Sequence, residues 1–250
     1  MQLDPSAAAA GVRVIHHDTV GSTNAEALAL ARGGECGPLW ITACSQTAGY
    51  GRRGRIWVSD PGNLYASLLL SEPAPPDRAA ELSLVAALAV HDAVGLRTPG
   101  VARRLTLKWP NDVLIDGNKF AGILIEGEGT AVVIGVGVNC AHHPSGTAFP
   151  ATDLATAGVR ARPQTVFTAL SAAMLHRVAQ WNRGGGFATT RIEWLARAGG
   201  LDKPIRITAG DSDLEGRFEG IDERGHLILL TADGSARTIT AGDVAMMARR

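Results

Sequence analysis

The pattern of the sequence changes at the Gly199-Gly200 pair, and this change sets what the chain can fold into. Before the pair, apolar strand segments alternate with helical segments that are rich in alanine and leucine. After it, roughly fifty residues break into four or five short strand segments that are separated by turn residues. Such a pattern is typical of a small β-barrel. The sequence therefore predicts an α+β domain over residues 1–201 and a β-barrel domain over residues 202–250.

Periodicity and turn residues place the secondary structure of the first region. Predicted strands cover residues 13–17, 39–44, 63–70, 105–109, 113–115, 120–126 and 131–139. Predicted helices cover residues 23–31, 77–94, 164–181 and 187–197. The Thr-x-x-Glu spacing of Thr23 and Glu26 predicts that Thr23 caps the first of these helices. The first ten residues are expected to form a frayed terminus.

Charge and composition exclude several classes of protein. Lys and Arg together number 24 and Asp and Glu together number 24, so no overall field attracts nucleic acid or an anionic membrane. No apolar run approaches the roughly 18 residues of a membrane span, and the start lacks the basic segment of a signal peptide. Three separated cysteines and two adjacent histidine pairs lack metal-ligand spacing. We therefore predict a cytoplasmic protein with no nucleic-acid, membrane or resident-metal partner.

A glycine- and arginine-rich segment, residues 49–55, is the first candidate for a binding site. Its three glycines allow backbone N–H groups to turn toward an anion, and its three arginines add permanently charged donors. It has neither the Gly-Lys-Ser/Thr of a Walker loop nor the open glycine positions of a Rossmann fingerprint. By itself the segment indicates either a phosphate-binding loop or a mobile basic loop that touches RNA.

Two further segments have both a functional and a structural interpretation. In residues 108–112, Pro110 turns the strand and presents Asn111 and Asp112 at its end, although Pro-Asn-Asp is also ordinary turn chemistry. Lys119 follows the tip of a predicted hairpin, where a lysine is usually solvated. It gains a role only if the hairpin leans over a pocket.

Glycines on one strand face form another candidate. Strand alternation places Gly135, Gly137 and Asn139 on the same face, where two side chains are deleted and one amide is retained. This arrangement suits a flat ligand that lies on the backbone, or equally a bulge or tight packing against a helix. Thr23 and its neighbours Ser22 and Asn24 likewise fit either a helix start or a ligand contact.

Taken together, these segments closely resemble the motifs of biotin protein ligases, and they occur in the same order. The matching segments are residues 22–24, 46–57, 108–112, 119–124 and 135–139. The resemblance covers nearly everything from Val14 to Val244. It implies a mixed β-sheet with flanking helices, similar to class II synthetases, and an SH3-like C-terminal β-barrel. It also implies an enzyme that uses ATP and Mg²⁺ to form biotinyl-5′-AMP from biotin and then biotinylates a lysine of a biotin carboxyl carrier protein domain.

The resemblance further implies roles for single residues. Biotin contacts would come from Ser22, Thr23, Asn24, Gln46, Gly49, Tyr50, Gly51, Arg52 and Lys119. ATP contacts would come from Arg52, Arg53, Arg55, Trp57, Asn111, Lys119 and Asn139. Arg52, Lys119 and Asp112 would be catalytic, since a carboxylate and a phosphate must approach each other. No protein metal ligand is expected, because Mg²⁺ would arrive on the ATP phosphates.

The sequence departs from the family pattern at two places. Tyr50 stands where the loop usually has its first arginine. Only about a dozen residues precede the first predicted strand, which is too few for a helix-turn-helix, so we expect no operator binding. A strand edge near residues 131–139 suggests a homodimer, as in relatives, and light scattering tests that hypothesis.

Three other functions remain open at this stage. A lipoate or octanoate ligase shares the catalytic fold, although the Arg-Gly-Gly-His stretch typical of that branch is absent. A non-catalytic biotin or nucleotide sensor would bind ligand without releasing pyrophosphate. An RNA-binding module would use the arginine loop, against which zero net charge and few aromatic residues argue.

Overall fold

The computed structural model describes residues 1–95, 99–147, 149–209 and 212–247. Its helices are α1 (Pro5–Ala9), α2 (Thr23–Arg32), α3 (Glu81–Gly95), α4 (Pro99–Ala102), α5 (Pro163–Trp181) and α6 (Phe187–Leu195). The first seven strands are β1 (Arg13–Val20), β2 (Leu39–Gln46), β3 (Leu64–Leu70), β4 (Leu105–Lys108), β5 (Asp112–Ile115), β6 (Asn118–Glu128) and β7 (Ala131–Val138). The last five are β8 (Pro204–Ala209), β9 (Ser212–Ile221), β10 (Leu227–Leu230), β11 (Ala236–Ile239) and β12 (Asp243–Met246).

A seven-stranded mixed sheet organises the first region, in the order β1-β2-β3-β7-β6-β5-β4. The β1–β2 pair is parallel, and the other neighbouring pairs are antiparallel. The β5–β6 hairpin follows from the Asp116-Gly117 turn, where both residues have positive φ. The mixed sheet and its flanking helices confirm the predicted α+β fold class.

Strand alternation gives the sheet two faces, because successive side chains point to opposite sides. Paired positions on β2, β3 and β7 put Ile41, Ser67 and Gly135 on one face, called here the α2 face. The paired positions Thr42, Ala66 and Val136 lie on the other, called the core face. Helix α2 packs Ala27 against Leu39, Ile41, Leu69 and Val133 on the α2 face. Helices α3 and α5 cover the core face and form the main hydrophobic core.

A buried ion-pair cluster joins the helices of the core face. Arg177 on α5 is only 7% exposed, and its guanidinium lies 2.6 Å from Asp92 on α3 and 2.5 Å from Glu193 on α6. Burial alone raises the pKa of Asp92, but hydrogen bonds from His91 and Arg177 bring it below the usual value. The cluster therefore holds both carboxylates charged between three helices.

The last five strands form an antiparallel sheet in the order β11-β10-β9-β8-β12, called here the C-terminal sheet. Its buried residues, among them Ile205, Phe218 and Leu227, belong to the same hydrophobic cluster as the main core. Trp109 Nε1 donates a hydrogen bond to the carbonyl of Gly225 at 2.9 Å. The C-terminal sheet therefore packs directly on the first region. Among the described residues, no helix has the length and apolar character required to cross a membrane.

Three expectations about local structure are wrong. The first ten residues are not frayed, because Asp4 caps α1 and Ala7 is fully buried. Ser22, not Thr23, caps α2: its hydroxyl accepts from the amide of Ala25, and Thr23 is the first helical residue. Strand β7 is not at an edge, since it lies between β3 and β6 in the sheet order. The homodimer hypothesis therefore loses the strand on which it rested.

Candidate active site

A cavity of about 590 Å³ opens on the α2 face of the mixed sheet. Its walls come from the start of α2, the loop over residues 50–58 and strands β4 to β7. Thr208, Asp243, Val244 and Ala245 of the C-terminal sheet complete them. All of the predicted site residues except Gly49 and Arg53 line this cavity. The structure thus brings together segments that are far apart in sequence.

One end of the cavity is a network of neutral hydrogen-bonding groups at the start of α2. Thr23 donates to Gln46 Oε1 from its backbone amide at 2.8 Å and from its hydroxyl at 3.1 Å. Gln46 Nε2 donates in turn to Ser59 Oγ at 2.8 Å. Because both ends of the Gln46 amide have fixed partners, its orientation toward the cavity is set.

Asn24 and Tyr50 are tied to the same carboxylate on β6. Asn24 Nδ2 donates to Glu126 Oε2 at 2.7 Å, and the Tyr50 hydroxyl donates to that oxygen at 3.0 Å. Asn24 Oδ1 lies 2.5 Å from the hydroxyl of Ser67. Burial, followed by the bond to Glu126, raises the pKa of Tyr50. In place of an arginine, the loop therefore has a neutral phenol that anchors it to the sheet.

The two glycines of β7 lie beneath two different side chains. Asn24 occupies the space that a Cβ at Gly135 would need, which is tight packing against a helix. A Cβ at Gly137 would lie 2.6 Å from Cε2 of Trp57. The Trp57 ring also covers Gly122, where a Cβ would lie 3.1 Å from Cζ3. The missing side chains thus create a flat floor that an aromatic ring covers.

A group of charges at the middle of the cavity contains two lysines and one carboxylate. Asp112 Oδ1 lies 2.6 Å from Lys119 Nζ, and Asp112 Oδ2 lies 3.4 Å from Lys108 Nζ. Lys119 therefore leans over the cavity and is not simply solvated. Lys108 is only 6% exposed, its ammonium lies 3.5 Å from the ring centre of Phe149, and burial lowers its pKa. Sequence reasoning did not select Lys108, although it pairs with Asp112 across β4 and β5.

The arginine loop meets the C-terminal sheet. Arg52 donates to Asn111 Oδ1 at 3.1 Å and to the carbonyl of Gly242 at 3.0 Å. The Asp243 carboxylate forms ion pairs with Arg52, Arg53 and Arg55. Burial alone raises the pKa of Asp243, but the bond from Arg55 and the three positive charges together lower it. The loop arginines therefore already have one anionic partner, which comes from the far end of the chain.

Two predicted site residues lie outside the cavity, and one lies deep within it. Gly49 is buried at the loop base, where a Cβ would lie 2.5 Å from Ser59 Oγ, so it shapes the turn. Arg53 is exposed and has a positive φ of 57°. Asn139 is buried, and its amide donates to the carbonyl of Thr152 at 3.0 Å. Of these three, Asn139 alone faces the cavity.

Comparison with known proteins decides the family. Residues 36–139 match the model of the biotin/lipoate A/B protein ligase family, and residues 200–247 match that of the biotin protein ligase C-terminal domain. The biotin–[acetyl-CoA-carboxylase] ligase of Paracoccus denitrificans is 45% identical over 219 residues, which cover 83% of this chain and 90% of that protein. This chain belongs to the biotin protein ligase family.

Other members of the biotin protein ligase family agree in sequence and in fold. The biotin–[acetyl-CoA-carboxylase] ligase of Mycobacterium tuberculosis is 34% identical over 90% of this chain and 85% of that protein. The structure of the biotin protein ligase of Aquifex aeolicus in complex with biotin and ATP superposes with a TM-score of 0.81 at 25% identity. It covers 94% of this chain and 98% of that one. The C-terminal match favours the biotin branch of the family over the lipoate branch.

Proposed function

We propose that this protein activates biotin with ATP and transfers the biotinyl group to a lysine of a biotin carboxyl carrier protein domain. The observation that carries the proposal is a single cavity that joins a neutral hydrogen-bonding pocket to a group of cations across a flat glycine floor. A ligand with a polar ring at one end and a carboxylate at the other fits this order. The names of the relatives and the ligands of the Aquifex aeolicus structure support the same substrates.

The first half-reaction joins two anions. A carboxylate oxygen of biotin attacks the α-phosphorus of ATP, a carbon–oxygen–phosphorus link forms, and pyrophosphate leaves with the electrons of the broken bond. Arg52, Lys119 and Lys108 provide positive charge on the cavity wall, which lowers the repulsion and stabilises the transition state. Asp112 fixes the two lysines, so we assign it a positioning role.

The second half-reaction transfers the acyl group. The neutral amine of a carrier lysine attacks the carbonyl carbon of biotinyl-5′-AMP, AMP leaves, and the amine proton passes to solvent or to AMP. Water competes with the amine for the same carbonyl. A loop that closes over the mixed anhydride excludes this water. We propose that residues 49–55 close in this way when biotin and ATP are bound.

The remaining residues are assigned by their positions around the cavity. Thr23 and Gln46, with Ser22 and Asn24 beside them, would hold the ring of biotin. Trp57 and Asn139 would hold the adenine, since an indole offers a stacking face and an amide can pair with a base edge. The boundary at residue 201 and the cytoplasmic location stay predictions.

The cavity suits Mg²⁺ only as a companion of ATP. Mg²⁺ prefers carboxylate and phosphate oxygens. The two carboxylates that line the cavity, Asp112 and Asp243, are both ion-paired with protein cations. Among the described lining residues, none therefore offers an unpaired carboxylate, and we assign no protein ligand to Mg²⁺.

Intact mass of an isolated carrier domain tests the proposal. The protein is mixed with biotin, Mg-ATP and the carrier, and we expect one biotinyl increment that requires ATP and the target lysine. Lys119→Gln is expected to lower the rate about 100-fold through loss of charge at the reacting groups. Lys203→Gln, at an exposed lysine outside the cavity, is the matched control and should retain the rate.

The failures of this experiment are informative. Pyrophosphate release without transfer would mean that the acceptor belongs to another carrier class. Release with lipoate or octanoate, but not with biotin, would favour the other branch of the fold. Ligand binding without any pyrophosphate release would identify a sensor.

A further inference from the structure

Three metal-ligating side chains lie together on strands β1 and β2, away from the cavity. The ligand atoms of His16, Asp18 and Cys44 all lie within 4.8 Å of one another. The parallel register explains this, because His16 pairs with Thr42 and Thr19 pairs with Ser45, which places Asp18 beside Cys44. Side chains at adjacent positions of parallel strands share a face, so the three donors point the same way.

The hydrogen bonds around His16 orient its ring so that Nδ1 meets Thr42 and Nε2 meets the thiol of Cys44. The hydroxyl of Thr42 donates its proton to the carbonyl of Ile15 at 3.2 Å. Since that proton is used, the same hydroxyl accepts from His16 Nδ1 at 2.9 Å. The ring is thereby fixed as the Nδ1–H tautomer, with a lone pair on Nε2. A metal-binding imidazole usually donates its other N–H to an oxygen acceptor such as a carboxylate, a backbone carbonyl or a water. The Thr42 hydroxyl provides an oxygen acceptor in that position here.

The spacing of His16 Nε2 and the Cys44 thiol, which would lose its proton to the solvent on binding, fits a tetrahedral ion. His16 Nε2 lies 3.6 Å from Cys44 Sγ. Zinc bonds of about 2.3 Å to sulfur and about 2.0 Å to nitrogen, at a tetrahedral angle, put the two atoms about 3.5 Å apart. The two strands therefore hold these donors at the separation that one zinc ion needs.

None of the three residues lines the cavity of the candidate active site. His16 pairs with Thr42, and Thr42 lies on the core face together with Ala66 and Val136. The cavity instead contains Gly135, which lies on the α2 face. His16 and Asp18 are exposed and Cys44 is partly exposed, so an ion can enter from solvent.

We propose that His16, Asp18 and Cys44 form a site for one divalent transition-metal ion, with zinc the best fit and water in the fourth position. One thiolate, one imidazole and one carboxylate suit zinc and disfavour Mg²⁺ and Ca²⁺, which prefer oxygen ligands. Binding forms a metal–sulfur bond and releases the thiol proton of Cys44 to solvent. The ion would clamp the edge strand β1 to β2 just before Ser22. Helical spacing of histidine pairs does not reveal this site, since only His16 of its pair takes part.

Cobalt and zinc binding to the full chain tests this site independently of ligase activity. The protein is reduced with a phosphine, stripped with a chelator and titrated with Co²⁺. We expect one ion per chain, a thiolate-to-cobalt band in the near ultraviolet, and displacement by Zn²⁺ with a rise in Tm. Cys44→Ser should lose the band, and Asp18→Asn should bind about tenfold more weakly. Cys36→Ser, at an exposed cysteine outside the cluster, should change neither the absorption band nor the affinity for the ion.

Clear results would overturn the proposal. Absence of the band in the unaltered protein would mean that the donors do not bind metal. A band that survives Cys44→Ser, or one that disappears with Cys36→Ser, would place the thiolate elsewhere. Equal zinc stabilisation of the unaltered protein and of Asp18→Asn would also contradict it. Asp18→Asn changes an exposed side chain, so it remains informative if Cys44→Ser folds poorly.

Discussion

At the scale of single residues, two glycines of β7 separate the two ends of the cavity. Gly135 lies under Asn24, in the hydrogen-bonding pocket, and Gly137 lies under Trp57. The two positions are on the same strand face and differ in which neighbour an added methyl group would displace. Paired alanine substitutions therefore probe the two ends of the cavity separately.

Gly135→Ala is expected to raise the KM for biotin about tenfold, and Gly137→Ala to raise the KM for ATP by a similar factor. The added methyl group forces Asn24 or Trp57, respectively, to shift at a cost of about 1–3 kcal/mol. Initial rates of pyrophosphate release, with each substrate varied in turn, give the two constants. Each variant is the control for the other. If both raise the KM of the same substrate, the assignment of the two ends is wrong.

Tyr50 offers a second prediction at this scale. Tyr50→Phe removes the hydrogen bond to Glu126, a bond to a charged group worth about 1.5 kcal/mol, and should increase the opening of the loop about tenfold. Trypsin cleavage after the loop arginines measures this opening. Biotin with ATP should slow cleavage in both proteins. A cleavage rate of the unaltered protein that is the same with and without biotin and ATP would contradict ordering of the loop.

At the scale of secondary structure, the helices of the core face depend on a shared charge. Arg177→Leu leaves the carboxylates of Asp92 and Glu193 without their common cation, so we expect a loss of about 3 kcal/mol in the free energy of unfolding. Urea denaturation measures it. Arg224→Leu is the matched control, because its ion pair with Asp77 is exposed and should be worth less than about 1 kcal/mol. Similar losses for the two variants would show that burial does not matter here.

Local patterns predicted most strands and helices, because periodicity and turn residues act over a few positions. The cap of α2 was misplaced by one residue, since Ser22 and Thr23 are both good caps and the bond from Thr23 to Gln46 decides between them. The position of β7 inside the sheet depends on its pairing with β3, which lies more than sixty residues earlier. Pattern alone does not encode such partners.

The composition of the site followed largely from motif order, but its long-range partners did not. Arg52 was selected from the loop itself, whereas its contact with Gly242 spans 190 positions. Glu126 bonds Tyr50 across 76 positions and carries no local signal of its own. Lys108 lies in the candidate segment 108–112, but the sequence gives it no role of its own, because only the fold shows its burial.

At the scale of the whole molecule, the C-terminal sheet and the arginine loop share one ion cluster. Asp243 keeps a folded-state pKa below its usual value of 3.8, so its contribution to stability is present at neutral pH. As the pH falls below about 4 and through the folded-state pKa, the carboxylate is protonated and that contribution is lost.

Asp243→Asn should therefore lower the free energy of unfolding by about 1 kcal/mol at pH 7, since the side chains are partly exposed. The difference between variant and unaltered protein should shrink as the pH falls below about 4 and through the folded-state pKa of Asp243. Urea unfolding of both proteins over a pH series measures it. A difference that is independent of pH would show that the charge of Asp243 is not what stabilises the contact.

The ion cluster around Asp243 also limits how such chains can diverge. Loss of the acidic residue during evolution would leave three loop arginines without their protein anion. Loss of the arginines would leave an unpaired carboxylate on the cavity wall. Because each change alone lowers stability, substitutions in the arginine loop and at Asp243 are expected to be correlated among related sequences. A hybrid spliced near Leu201 takes the arginines from one parent and the acidic residue from the other. It is therefore expected to keep this contact only where each parent supplies its half of the ion cluster.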